Sequence, residues 1–238
     1  MKLKLNKTQV TEFKNLMTIL KPINKEVYFK VNSDKLIMKS FDASNAMYYK
    51  VEMDKVAFDG YEGDIEVDGQ INVVTLNKWL KMFKSEMDIE FTEKYVTLSS
   101  SSRKVPIDVY VVENIVRDIE MADDKFDSIF QIDATDYSNI ISDVGMSDES
   151  SVAFHVNKET LYVVNGKVEA RLESKVEVDK GDTEYISKYN FTYLKYTYIH
   201  KLISNICLKI GHNKPMLIEA TGNGVLLQMV IAPLGDND

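Results

Sequence analysis

Cysteine is nearly missing from this sequence: Cys207 is the single thiol among 238 residues, so no internal disulfide and no CxxC metal frame can form. That usage points to a reducing, intracellular compartment. Proline, with four residues, and glycine, with ten, are too scarce for a collagen-like or linker chain. No run of about 18 apolar residues occurs, which excludes a membrane-spanning helix and leaves no membrane partner to expect. The opening MKLKLNKTQV lacks the apolar stretch and cleavage site of a secretory leader. Catalytic signatures are missing as well: there is no GxxxxGK[ST], no GxGxxG after a strand, no HExxH and no GxSxG. His155, His200 and His212 show no ligand spacing, and Cys207 reads as a buried, inert thiol on a strand. Asp64, Glu66 and Asp68 would share one strand face, a pattern read as solvated acidic surface. No enzyme is expected, with no catalytic residue, no metal and no cofactor.

What remains is an ordinary globular composition, 45% apolar and 28% charged, with a net charge of −8. Such a balance argues against a generic basic nucleic-acid binder but says little about local patches. Residues 1–120 hold 18 basic and 19 acidic side chains, whereas the remaining 118 hold 11 and 18. The break falls near VVENIVRDIEMADDKFD (111–127), acidic and weakly periodic. It reads as a connector over 113–127 between domains at 1–112 and 128–238. A surface loop within one domain is the alternative.

The two halves repeat each other. VYFKVNSDKLIM (27–38) and VAFHVNKETLYV (152–163) share five of twelve positions at an offset of 125, including Phe29/Phe154 and Leu36/Leu161. Both alternate apolar and polar residues about a polar turn, the pattern of a hairpin. Helical spacing precedes each: Val10, Phe13, Met17 and Leu20 after Thr8 as a possible cap, then Tyr137, Ile140, Ile141 and Val144 after Asp133 or Thr135. Strand-like runs follow at AMYYKVEM (46–53) and VEARLESKVEV (168–178), then second helices at 74–84 and 191–201, then more strands. The pattern predicts a tandem duplication of an α+β domain.

Lysines mark these helices. Lys7, Lys14 and Lys21 recur every seven residues, and Lys78, Lys81 and Lys84 flank Leu76, Trp79 and Phe83. Lys195 and Lys201 continue the theme in the second half. A basic helix edge is usually a solvated face; here it recurs on equivalent helices of an otherwise acidic chain.

KLIMKSFDASNAMYYKVEM (35–53) resembles the strand–"MDxSHV"–strand stretch of proliferating cell nuclear antigen (PCNA) sliding clamps. ISDVGMSDESSVAFHV (141–156) is similar to a passage of their second domain, and KPMLIEATGNGVLLQMVIAPL (214–234) looks like their ending, with Ala232–Pro233 the most specific match. The resemblance implies two tandem clamp domains, helices lining a ring and antiparallel sheets outside. It implies a homotrimer that encircles double-stranded DNA without reading sequence and tethers DNA polymerase, the clamp loader and other proteins bearing clamp-binding motifs. Lys7, Lys14, Lys78, Lys81, Lys84, Lys195 and Lys201 would then face DNA. Partner proteins would dock on Phe41, Asn45, Ala46 and Tyr48, on Ile119 and Met121 of the connector, and on Pro215, Val230, Ala232 and Pro233. Subunits would join through edge strands at 103–112 and 168–176. The compartment would be cytoplasmic for an archaeal or phage-encoded clamp and nuclear for a eukaryotic one.

Two features depart from the family pattern. The helix region 134–147 carries Asp136 and Asp143 and no Lys or Arg, which predicts an asymmetric lining and suits a divergent or mobile-element clamp. The chain closes on LGDND. Two other functions compete: a monomeric processivity factor of the same fold that holds DNA by charge alone, and a protein-interaction scaffold with no DNA role.

Overall fold

A computed structural model describes residues 1–111, 117–157, 160–173, 175–179, 184–197 and 203–235. The chain divides into two compact units, one of residues 1–118 and 223–227, the other of 119–222 and 228–238.

The first unit opens with β1 (Lys2–Leu5) and α1 (Lys7–Ile23), then β2 (Glu26–Val31), β3 (Lys35–Phe41), β4 (Met47–Asp54), β5 (Gly60–Glu62) and β6 (Val67–Asn72). It continues with α2 (Val73–Leu80), β7 (Met87–Phe91), β8 (Tyr95–Ser100) and β9 (Arg103–Asp108). Its strands form two antiparallel sets, ordered β5-β1-β7-β8-β9 and β4-β3-β2-β6. The second unit runs β10 (Ser128–Asp133), α3 (Ala134–Val144), β11 (Ser151–Asn157), β12 (Thr160–Asn165), β13 (Val168–Glu173), β14 (Lys175–Asp179) and β15 (Glu184–Asn190). After these come α4 (Phe191–Leu194), β16 (Asn205–Ile210), β17 (Met216–Gly222) and β18 (Val225–Ile231), of which residues 225–227 count with the first unit. Its sets read β14-β10-β16-β17-β18 and β13-β12-β11-β15. Every strand and helix given for one unit has its counterpart in the other, in the same order and with the same neighbours within its set. The duplication extends to register: Val31 faces Leu36 in one hairpin and Val156 faces Leu161 in the other.

Local chemistry explains the helix starts. Asn6, Asn72, Asp133 and Asn190 each cap the following helix by accepting backbone N–H bonds, and Gln9 closes a capping box with Asn6. Asn6 thus takes the role expected of Thr8. Helix α1 buries Val10, Phe13, Leu16, Met17 and Leu20 in its unit's core. Each such side chain contributes about 1.5–3 kcal/mol relative to exposure. Each unit also has an aromatic pair: the ring centroids of Phe29 and Phe91 lie 5.2 Å apart in the first, and Phe154 meets Tyr189 edge-on at 5.7 Å in the second.

Several expectations need correction. The helix expected over 74–84 ends at Leu80, because Met82 and Phe83 donate to Trp79 and Leu80 in tighter i to i+3 bonds that close the last turn. The helix expected over 191–201 is α4 plus a 3-10 turn at Lys195–Thr197, and residues 198–202 lie outside the described set. The single run read at 168–178 is two strands in different sheets, so the edge strand expected over 168–176 ends at Glu173. Likewise the edge expected over 103–112 ends at Asp108, with Tyr110 bridging back to Gln70.

Candidate functional site

Helices α1 and α2 pack together, and a buried asparagine fixes how. Asn77 donates from Nδ2 to the carbonyl of Met17 at 2.6 Å and to that of Val73 at 3.0 Å. This contact sets where the lysines go. Lys7 is exposed on the first turn of α1. Two turns on, Lys14 is half-buried and donates its ammonium to the Phe83 carbonyl just past α2. Burial lowers Lys14 below the ordinary lysine value, and repulsion from Lys84 lowers it further. Lysines from two segments 70 residues apart in sequence thus share one neighbourhood. Lys78, Lys81 and Lys84 are exposed, Lys78 lying 5.2 Å from the centroid of the Trp79 ring. Because α2 stops at Leu80, Lys81 and Lys84 sit on the turn beyond it. Among the described residues, no carboxylate pairs with Lys7, Lys78, Lys81 or Lys84. That charge is left to solvent or to an external anion.

The second unit differs. Helix α3 exposes Asp136 and Asp143 and carries no cation. Lys195 is exposed after α4, its ammonium 5.1 Å from the Phe191 ring centroid. Lys201 lies outside the described residues.

The residues expected to dock partners divide between the units. In the first, the turn from β3 to β4 is held by Asp42, whose carboxylate accepts from the backbone N–H of Ser44 at 3.1 Å and of Met47 at 2.7 Å. Asn45 takes the left-handed conformation this turn needs, at φ 56°. Phe41 is half-exposed with its ring 5.0 Å from that of Tyr48, and Ala46 is half-exposed beside them in sequence. Tyr48 itself is only 2% exposed. Its hydroxyl donates to Asp118 at 3.1 Å. In the second unit Ile119 and Met121 are half-exposed in an irregular segment, and Pro215, Ala232 and Pro233 are half-exposed as well. Val230, at 8% exposure, is buried. Tyr48 and Val230 are therefore core residues of their own units, and an exposed contact surface has to come from their neighbours.

A model of the family described as proliferating cell nuclear antigen, N-terminal domain, matches residues 1–129. This chain belongs to the PCNA family. Proteins named DNA polymerase sliding clamp from two strains of Methanococcus maripaludis, S2 and C6, are 23% and 24% identical to it, over 93% of this chain and 95% of each relative. Among solved structures, a PCNA2–PCNA3 complex from Sulfolobus tokodaii matches at a TM-score of 0.82 and 17% identity, covering 98% of this chain and 99% of that one. PCNA from Thermococcus kodakaraensis matches at 0.78 and 17%, with the same coverage. These likenesses show the two-domain clamp fold.

Within this PCNA fold, Asp118 and Asp123 each enter charge pairs that sequence reasoning missed. Lys39 and Lys50 face each other across β3 and β4, and two cations side by side call for an anion. Asp118 supplies it, 3.3 Å from Lys39 and 3.5 Å from Lys50. Burial alone would raise the Asp118 carboxyl, but the two ammonium groups and the Tyr48 hydroxyl hold it below its ordinary value. Glu52 behaves alike: burial opposes ionisation, and Lys35 and Lys50 overcome it. In the second unit Lys209 meets Asp123 at 2.7 Å and Glu219 at 2.5 Å. Cys207 is half-buried rather than buried, and burial pushes its thiol up against the pull of Lys209. The acidic set at 64–68 is partly engaged, Glu66 by Lys30 at 2.9 Å and Asp68 by the Tyr28 hydroxyl at 3.3 Å. Among the described residues, no helix is long and apolar enough to cross a membrane.

Proposed function

We propose that this chain is a DNA sliding clamp: copies of it close into a ring around duplex DNA and tether DNA polymerase and other replication and repair enzymes. The observation that carries this reading is membership of the PCNA family in a chain whose second half repeats the fold of the first. A clamp holds DNA by topology, so a few loose phosphate contacts suffice and a net charge of −8 is no obstacle. Lys7, Lys14, Lys78, Lys81, Lys84, Lys195 and Lys201 serve those contacts, and the unpaired state of four of them supports the assignment. The chain does no chemistry of its own.

The ring is a homotrimer closed by heterologous pairing of β9 in one copy with β13 in the next. Each is the outermost strand of its set, and an uncovered edge invites a partner. Beyond β9, Tyr110 is 50% and Val111 88% exposed, apolar surface that a subunit contact would cover. The N-terminal domain spans 1–112, the connector 113–127 and the C-terminal domain 128–238; the division of compact units after Asp118 falls inside that connector. Partner proteins dock through Phe41, Asn45 and Ala46, supported by Tyr48, and through Ile119, Met121, Pro215, Ala232 and Pro233, supported by Val230. Clamp loader, polymerase and other clamp-binding proteins share these residues, in whichever compartment holds the DNA.

The test is retention on circular against linearised DNA after loader treatment, at salt that strips free protein from short duplexes. Retention on the circle alone is expected. Equal retention on both would favour the monomeric, charge-held factor.

A further inference from the structure

Asp118 lies on the connector, and three donors from β3 and β4 converge on one of its oxygens. Lys39 Nζ stands 3.3 Å from Oδ1, Lys50 Nζ stands 3.5 Å from it, and the Tyr48 hydroxyl donates to it at 3.1 Å. The register of the two strands puts Lys39 opposite Lys50 and Phe41 opposite Tyr48. The Lys39 side chain is only 9% exposed, and its ammonium lies 5.2 Å from the centroid of the Tyr28 ring. Among the described residues, Asp118 is the carboxylate that it pairs with. A buried ammonium that loses its anion is left uncompensated, so withdrawing Asp118 is costly. Lys50 has a second anion in Glu52, at 2.6 Å, and depends on Asp118 less. A side chain with three partners fixed on a rigid sheet in turn fixes the backbone that carries it. Tyr48 extends the arrangement by one step, its ring lying 5.0 Å from that of Phe41.

We propose that Asp118 is a positioning residue for partner docking: clasped by Lys39, Lys50 and Tyr48, it holds the connector in the conformation that presents Ile119 and Met121 to a partner peptide. The inference rests on the docking residues proposed above. Asp118 need not touch the peptide. It acts through the fraction of free chains whose connector is already set, and the apparent dissociation constant is the intrinsic one divided by that fraction. A preorganised connector therefore shows in the association rate, whereas a lost contact shows in dissociation. Tyr48 belongs to the same device. At 2% exposure it offers a partner no surface, yet its hydroxyl joins Asp118 to the loop that carries Phe41, Asn45 and Ala46.

The test uses the full chain and a fluorescein-labelled clamp-binding peptide with apolar and aromatic anchors, followed by stopped-flow anisotropy. Asp118→Asn removes the charge, and Tyr48→Phe removes the hydroxyl while keeping the ring. Each should slow association about tenfold and leave dissociation within about twofold of the parent. Asp118→Glu, which keeps the charge, should recover most of the association rate. Thermal melts check the fold, and if Asp118→Asn melts below the assay temperature, Tyr48→Phe carries the test. Association at the parent rate in the folded variants overturns the inference. So does a loss confined to dissociation, since Asp118 would then be touching the peptide, and so does a loss in Asp118→Glu as large as that in Asp118→Asn. Met121→Glu separates the two readings. Binding that survives Met121→Glu overturns the docking reading and the inference with it; binding lost there but untouched in the Asp118 and Tyr48 variants overturns the inference alone.

Discussion

Replacing Lys78, Lys81 and Lys84 together by glutamine removes three charges that no carboxylate of the described residues neutralises. Nothing buried loses a partner, and Lys14 is relieved of its repulsion by Lys84, so folding stability should stay within about 0.5 kcal/mol of the parent. DNA binding should change far more. Each phosphate contact contributes about −0.9 to the slope of log K against log salt, so losing three flattens that slope by about 2.7 per engaged patch. Between 50 and 200 mM salt, that difference amounts to roughly 40-fold in the salt-induced loss of affinity. Titration of a short linear duplex at four salt concentrations measures the slope directly, with native mass and thermal melts as controls. A slope unchanged within error, in a variant that folds and assembles like the parent, would refute the placement of DNA on this surface.

Val111→Asp should weaken subunit association at least tenfold by native mass while leaving the monomer folded, because Val111 is 88% exposed and its side chain has little to lose within its own unit. Gly69→Ala should destabilise the first unit by about 1–3 kcal/mol in denaturant melts, since the new methyl would lie 2.3 Å from Val109 Cγ1 and 3.3 Å from the Phe29 ring. Met121→Glu should abolish calorimetric binding of a clamp-binding peptide without dissociating the assembly, a half-exposed apolar anchor being lost from the connector. Asp118 and Glu52 both have folded-state values below the ordinary 3.8 and 4.5, so their contribution is complete above those values and is lost as pH falls through the folded ones. Denaturant midpoints should therefore fall more steeply below about pH 4 in the parent than in Asp118→Asn.

Much of this protein is written in periodicity alone. Alternation about Asn32–Lys35 and Asn157–Thr160 specifies two hairpins, since a one-residue slip would turn Phe29 or Phe154 from the core to solvent. The spacing of Val10, Phe13, Met17 and Leu20 specifies α1 in the same way, and the repeat at an offset of 125 residues fixes the doubled architecture. Each is a local pattern that depends on the identity of near neighbours. Other features were decided only by tertiary structure. Helix α2 stops at Leu80 although its apolar spacing continues to Phe83, the chain tightening there as Met82 and Phe83 donate to Trp79 and Leu80, and Lys14 of α1 meets the Phe83 carbonyl so placed. The run at 168–178 breaks between two sheets because β13 and β14 pair with strands far apart in sequence, β12 and β10. The Lys39–Lys50–Asp118 cluster is invisible in sequence, for it exists only once the register of β3 on β4 sets two lysines side by side and the chain returns an aspartate to them. Periodicity reports which face of an element is buried; which charges meet depends on long-range pairing, and that is a property of the folded chain.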